Sequence, residues 1–241
     1  MGATKVLIVD DEPQVRRVLR TALIPRGIEV TDVPSGEEAL ESLRREIPDV
    51  ILLDLKMPGL DGIETCRLIR DCSEVPILIV SARNTEREKI EALETGADDY
   101  VTKPFGIDEL VARIRAVTRR ISVADHSRVV RLDSVEIDLE SHEVRRGETV
   151  THLTAKEFRL LYCFLQNAGK VVSHRRLLQA VWGPDYGNEI EYLRVFINQL
   201  RKKIEADPSH PKCILTEPST GYRFAPPKPP HASKAFNGFN G

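Results

Sequence analysis

The sequence predicts a doubly wound α/β domain over roughly its first half and a smaller α+β domain behind it. Five short apolar runs, each closed by turn residues, alternate with five stretches of helical periodicity up to Arg120. One of them, Val50-Ile-Leu-Leu, is apolar at every position, as in a parallel strand covered on both faces. After Arg128 the pattern changes to short alternating runs, followed by three closely spaced amphipathic helices.

The first strand is expected at residues 5–10. Pro13 suits the first position of a helix, Val15, Val18, Leu19, Ala22 and Leu23 recur at helical spacing, and Gly27 ends it. Residues 28–33 read as a strand, and Ser35-Gly-Glu-Glu38 as a capping box opening a helix through Ala39, Leu40 and Leu43. A third strand at 49–54 leads through a Pro58-Gly59 turn to a helix at 62–71. A fourth strand at 76–80 ends at Ser81. Thr85-Glu-Arg-Glu88 caps a helix carrying Ile90 and Leu93, which Gly96 closes. The last strand, 98–102, runs into Lys103-Pro104, and Leu110, Ile114 and Val117 mark the last helix. Right-handed crossovers favour a flavodoxin-like (βα)5 order.

The chain has 241 residues, 41% apolar and 30% charged, enough for two ordinary domains with real cores. No run approaches the roughly 20 apolar residues of a membrane span, and no signal-peptide pattern precedes the first strand. A cytoplasmic protein that avoids membranes is therefore expected. Cys66, Cys72, Cys163 and Cys213 form no CxxC pair and read as reduced thiols. Residues 1–122 hold 18 Lys and Arg against 23 Asp and Glu, and the remainder 17 against 14. An acidic half joined to a mildly basic one suggests two tasks.

In open α/β sheets, ligands bind at the carboxyl ends of the strands. Asp10-Asp11, Asp54, Ser81 and Lys103 all fall there, so they should converge. Clustered carboxylates repel unless a cation neutralises them, and oxygen donors select a hard ion such as Mg²⁺. With an ammonium and a hydroxyl beside them, the set suits a phosphoryl group on an attacking carboxylate.

Residues 4–120 resemble the receiver domain of bacterial two-component response regulators. The resemblance rests on Asp10-Asp11, Asp54-Leu-Lys-Met-Pro-Gly-Leu-Asp-Gly62, Ser81-Ala, Gly96-Ala-Asp-Asp-Tyr100 and Lys103-Pro-Phe. It implies that Asp54 accepts phosphate from a sensor histidine kinase. It implies Mg²⁺ (or Mn²⁺) held by Asp11, Asp54 and the Lys56 carbonyl, with Asp10 acting through water. Ser81 would be the switch hydroxyl and Tyr100 an aromatic that turns inward, with Lys103 on the phosphate and a cis Lys103-Pro104 bond. It also implies a phosphorylation-dependent homodimer through the fourth helix, fifth strand and fifth helix, pairing Lys89 with Glu109, and Asp98 or Asp99 with Arg113 or Arg120, between subunits.

In the second half, Val130, Leu132, Val135, Ile137, Leu139, Val144 and Val150 outline a small antiparallel sheet. Thr154-Ala-Lys-Glu157 caps a helix through Phe158, Leu161 and Phe164; helices at 175–182 and 189–205 follow, then a hairpin around Gly221. The last helix carries a basic outer stripe, as in a helix-turn-helix that enters a major groove. Residues 128–225 resemble the winged helix-turn-helix domain of the OmpR/PhoB subfamily. The carriers are Leu153-Thr-Ala-Lys-Glu-Phe-Arg-Leu-Leu161, Leu200-Arg-Lys-Lys-Ile204 and Gly221-Tyr-Arg-Phe224. Tyr192-Leu-Arg194 and Leu215-Thr-Glu-Pro218 look most like the regulators of potassium-uptake genes within it. Arg194, Asn198, Arg201, Lys202 and Arg223 are the candidate contacts to double-stranded promoter DNA. The wing reads Pro218-Ser-Thr-Gly221 where the subfamily commonly has Arg-Gly before the Gly-Tyr.

The expected domains are a receiver at 1–121, a linker at 122–127, a winged helix at 128–225 and a Pro-rich disordered tail at 226–241. The expected function is a phosphorylation-activated transcription regulator. Its rivals are a phosphatase with an Asp nucleophile and a phosphate-independent DNA-binding regulator. Haloacid-dehalogenase-type phosphatases place a second Asp two residues after the first, and here Lys56 stands there.

Overall fold

A computed structural model describes residues 3–118, 129–132 and 135–225. The expected linker at 122–127, the tail at 226–241 and Arg120 lie outside the described residues. Strands β1 (Thr4–Val9), β2 (Ile28–Val33), β3 (Val50–Leu53), β4 (Ile77–Ser81) and β5 (Asp99–Thr102) form one parallel sheet in the order β2-β1-β3-β4-β5. Helices α1 (Pro13–Leu23), α2 (Gly36–Arg45), α3 (Gly62–Arg70), α4 (Glu86–Thr95) and α5 (Ile107–Thr118) connect and cover it. The flavodoxin-like order is the one expected.

Register explains why the carboxyl ends matter. Val9 pairs with Leu53 and Leu53 with Ile79, so β1, β3 and β4 end nearly level. Every residue of β3 and β4 is buried, and these central strands read as unbroken apolar runs for that reason. On β2, at the edge, buried and exposed positions alternate at first.

The helix starts follow their capping chemistry. Thr85 and Thr154 each complete a reciprocal box with Glu88 and Glu157. At Ser35 the Glu38 N–H donates to Oγ at 3.3 Å, while the Glu37 carboxylate accepts from Leu60 N. Asp61 caps α3, its Oδ1 accepting from Glu64 N at 2.8 Å.

The second domain opens with an antiparallel sheet of β6 (Val129–Leu132), β7 (Val135–Asp138), β8 (Glu143–Arg146) and β9 (Thr149–His152). Then come α6 (Ala155–Gln166), β10 (Val171–Ser173), α7 (His174–Trp182), α8 (Ile190–Ile204), β11 (Ile214–Glu217) and β12 (Gly221–Phe224). The terminal hairpin takes β10 as a third strand, in the order β10-β12-β11. That strand was not expected. It has three residues, too few for a visible period. Gly221 is required at its crossing, because a Cβ there would lie 2.0 Å from the Val172 carbonyl oxygen.

Trp182, Phe158, Phe164, Phe196 and Phe224 fill the core between α6, α7, α8 and the hairpin, with Trp182 and Phe196 edge to face at 5.0 Å. The domains meet where α6, α7 and α8 pack on α4, β5 and α5. No helix among the described residues is long and apolar enough to cross a membrane.

Candidate functional site

Asp10 and Asp54 follow the ends of β1 and β3, and Lys103 follows β5. The Lys103 ammonium lies 2.8 Å from Asp10 Oδ2 and 3.3 Å from Asp54 Oδ1, joining the two acids. Both carboxylates are buried, at 2% and 5% exposure. Burial pushes the Asp54 carboxyl above its ordinary range; Lys103 opposes the shift and Asp10 adds to it. Burial lowers the Lys103 pKa, but Asp10 and Asp54 together outweigh it and leave it raised.

Backbone donors fix the acids. Lys56 N donates to Asp54 Oδ2 at 3.0 Å, and Glu12 N donates to Asp10 Oδ1 at 2.9 Å. Arg16 reaches back from α1 to the Asp10 carbonyl at 2.5 Å, with Nε on Asp32 at 3.2 Å. Sequence reading passed over Arg16, an ordinary surface charge by its position in the helix. Gly62, the first residue of α3, lies against the nucleophile's own backbone. A Cβ there would sit 2.2 Å from the Asp54 carbonyl oxygen and 2.6 Å from Leu55 Cα. Gly62→Ala is therefore expected to lift the start of α3 off the loop after β3. Phosphorylation from a small-molecule donor, followed by phosphate-affinity electrophoresis, should slow at least tenfold; an unchanged rate would show that the loop absorbs the methyl.

Ser81 ends β4, fully buried, with its hydroxyl accepting from Arg83 N at 3.4 Å. Tyr100 is turned inward at 3% exposure, its hydroxyl donating to the Arg83 carbonyl at 2.7 Å. Burial pushes its phenol pKa up to about 12. The Lys103–Pro104 bond is cis.

The fit to a hard cation is partial. Asp54 Oδ1 is buried with no hydrogen bond reaching it, so one acceptor position remains free beside the Lys103 ammonium. Asp11 is half-buried next to Asp10. Among the described residues no three His, Cys, Asp or Glu side chains group as a metal cage. Lys103 thus stands between Asp10 and Asp54, with Asp11 adjoining Asp10 in the chain. Asp11, Asp54 and the Lys56 carbonyl still supply the few hard oxygens that suit Mg²⁺, which keeps several waters.

The described residues assigned to a dimer have contacts within the chain. Asp98 Oδ2 accepts from Arg70 at 2.7 Å and Ile77 N at 2.9 Å. Asp99 accepts from Tyr186 Oη at 2.7 Å and faces Arg113 at 3.3 Å. Glu109 pairs with Arg113 one turn along α5 at 2.8 Å, and Lys89 stands 5.8 Å over the Tyr100 ring. Within one chain these residues take the partners just named, of which Tyr186 comes from the second domain.

On α8, Arg194, Asn198 and Lys202 are exposed, and Arg194 pairs with Glu191. Arg201 differs from the expectation of an outward reader. Its guanidinium donates to the Ile214 carbonyl at 2.7 Å and to Thr216 Oγ1 at 2.9 Å, tying α8 to the hairpin. Arg223 pairs with Glu217 across the β11–β12 hairpin at 2.7 Å. A further anchor went unread. The buried Glu205 carboxylate, just past α8, accepts from the backbone N–H groups of Lys212, Cys213 and Ile214 at 2.8–2.9 Å.

Residues 6–115 match the family model "Response regulator receiver domain", and residues 147–224 match "Transcriptional regulatory protein, C terminal". The chain is 45% identical over 223 residues to "Transcriptional regulatory protein KdpE" of Mycobacterium tuberculosis, covering 92% of this chain and 99% of that one. It is 46% identical over 222 residues to "KDP operon transcriptional regulatory protein KdpE" of Escherichia coli, with the same coverage. Among solved structures, that of a RitR mutant superposes with a TM-score of 0.76 at 27% identity, covering 92% of this chain and 99% of that one.

Proposed function

This chain belongs to the OmpR/PhoB family of two-component response regulators, and on that premise we propose that Asp54 is its phosphoacceptor and α8 its DNA-reading helix. The family consists of transcriptional regulators rather than metabolic enzymes. The observation that carries the assignment to Asp54 is the shared grip of Lys103 on Asp10 and Asp54 at 2.8 and 3.3 Å. It leaves one buried carboxylate oxygen without a hydrogen bond at the mouth of the sheet.

In the proposed transfer, the Asp54 carboxylate attacks the phosphorus of a kinase phosphohistidine. A P–O bond forms, the P–N bond breaks, and the imidazole leaves. Lys56 N orients the carboxylate from one side and Lys103 balances charge from the other. Mg²⁺ (or Mn²⁺), when held by Asp11, Asp54 and the Lys56 carbonyl, supplies charge neutralisation on the phosphoryl oxygens. Ser81 would then meet the phosphoryl group, with Tyr100 inward beside it.

The acyl phosphate biases the α4–β5–α5 surface towards a homodimer, with Lys89, Asp98, Asp99, Glu109, Arg113 and Arg120 at the contact. Two linked winged helices then gain affinity for paired half-sites through effective concentration. Arg194, Asn198 and Lys202 approach base edges or phosphates from α8, with Arg201 and Arg223 held at the hairpin side. The promoters are of kdp type, controlling potassium transport, and the protein works in the cytoplasm.

Beryllofluoride with Mg²⁺ is expected to convert the monomer to a dimer in sedimentation. It should tighten binding to duplexes selected from a random-sequence pool by at least tenfold. Equal affinity with and without beryllofluoride would favour a phosphate-independent regulator.

A further inference from the structure

Of the three acids at the site, two are held by their side chains. Lys56 N and Lys103 fix Asp54, and Glu12 N and Lys103 fix Asp10. The half-buried Asp11 carboxylate takes no hydrogen bond or ion pair among the described residues. Where it points is therefore set by its backbone.

That backbone is tied down from α1 and β2. The Asp10 carbonyl belongs to the planar peptide that joins Asp10 to Asp11, so a donor that grips this oxygen also places the Asp11 Cα. Arg16 Nη1 donates to it at 2.5 Å. On the other side of the residue, Asp10 N donates to the Val33 carbonyl at 3.3 Å. Arg16 is itself anchored. Its Nε donates to Asp32 Oδ2 at 3.2 Å, and its side chain is only 15% exposed. Asp32 stands near the end of β2, in register with Ile8 of β1. One guanidinium thus joins the loop after β1, the first turn of α1 and the edge strand.

The start of α1 has little else to hold it. Glu12 at the N-cap makes no side-chain capping bond, and Pro13 at the first position has no N–H to donate. Arg16 N closes the first turn on the Glu12 carbonyl at 3.2 Å. The buried residues of the helix, Leu19 and Leu23, come only in its later turns. Arg20 lies one turn beyond Arg16 and also meets Asp32, at 3.0 Å from Oδ1, yet it is 53% exposed and has no bond to Asp10. The fork geometry of an Arg lets it hold two acceptors at a fixed angle, which a Lys ammonium does not reproduce.

We propose that Arg16 is a positioning residue for the metal site. By fixing the Asp10–Asp11 peptide it presents the Asp11 carboxylate to a divalent cation, with Asp32 as the post it braces against. This rests on the reading of Asp11 and Asp54 as Mg²⁺ ligands. A ligand already held in place loses less freedom when the ion arrives, so removing the brace raises the Mg²⁺ demand. The nucleophile is spared, because Lys56 N and Lys103 still hold Asp54.

The test titrates Mg²⁺ against the full-length chain in two ways. One reads the rise in Tm with Mg²⁺ alone, with no phosphoryl donor present. The other reads the rate of phosphorylation by acetyl phosphate, by phosphate-affinity electrophoresis. Arg16→Met is expected to raise the half-saturating Mg²⁺ concentration by at least about fivefold in both, while the rate at saturating Mg²⁺ falls by less than about twofold. Arg16→Lys keeps the charge, loses the fork and should behave like Arg16→Met. Asp32→Asn weakens the brace and should raise the half-saturating concentration by about twofold or more. Arg20→Met removes an ion pair to the same acid and should leave that concentration unchanged, even where the metal-free Tm drops. An unchanged Mg²⁺ requirement in Arg16→Met would overturn the proposal. So would full recovery in Arg16→Lys, which makes charge alone the cause, or an equal rise in Arg20→Met, which makes general stability the cause. If Arg16→Met does not fold, Asp32→Asn decides, and no rise there overturns the proposal. An unsubstituted chain whose Tm and phosphorylation ignore Mg²⁺ would sink the metal reading and this inference together; one that responds while its Arg16 variants match it sinks the inference alone.

Discussion

Asp54→Asn is expected to remove phosphoryl acceptance completely and to leave a folded chain with a raised Tm. The amide oxygen keeps the bond from Lys56 N, now at 3.0 Å. What disappears is one of two buried negative charges that share a single ammonium. Burial already disfavours the ionised form of Asp54, so a neutral isostere relieves the fold where the nucleophile strains it. Phosphate-affinity electrophoresis should show no shifted band with either a kinase or a small-molecule donor. A thermal melt in EDTA should show the higher Tm. A shifted band would move the acceptor elsewhere, and a lower Tm would mean that Lys103 needs both acids to stay ordered.

Glu205→Ala should unfold the second domain at ordinary temperatures or bring it close to doing so. Glu205 is 2% exposed and receives three successive backbone N–H groups, those of Lys212, Cys213 and Ile214. Hydrogen bonds to a charged group contribute about 1.5–3 kcal/mol each, and donors left buried without a partner cost about 1–3 kcal/mol. Relaxation of the 206–213 loop recovers part of this, so a loss of about 3–5 kcal/mol is expected, a large share of a domain's stability. Urea denaturation followed by tryptophan fluorescence reads it directly, since Trp182 is the one tryptophan and lies in that core. DNA binding should fall with it, although Glu205 sits beyond the helix that approaches DNA. A loss below about 1 kcal/mol would mean that water or Arg146, which already donates to the Glu205 carbonyl, replaces the carboxylate.

The parallel sheet was readable because its central strands are apolar on both sides and its helices carry their own caps. The meeting of Asp10, Asp54 and Lys103 followed, since strand ends in register bring distant residues together. Three things were not readable. The strand at Val171–Ser173 is shorter than one period of any pattern, and Val171 is exposed. Lys156 sits one position inside a capping box, where a lysine ordinarily faces solvent; its burial depends on the receiver lying over it. Asp98-Asp99 opens the expected last strand with nothing in the pattern to name its partners within the chain, yet both carboxylates are buried by Arg70, Arg113 and Tyr186, partners 14 to 87 positions away. Arg201 shows the same limit in reverse. Helical spacing puts it on the polar side of α8, but spacing cannot tell a base edge from the Ile214 carbonyl of the neighbouring strand.

The shared carboxylate of Asp99 sets unequal mutational tolerance around it. Tyr186 reaches it with a hydroxyl and Arg113 with a guanidinium. Loss of the tyrosine hydroxyl still leaves the acid its guanidinium, whereas loss of the acid leaves a buried phenol without its acceptor.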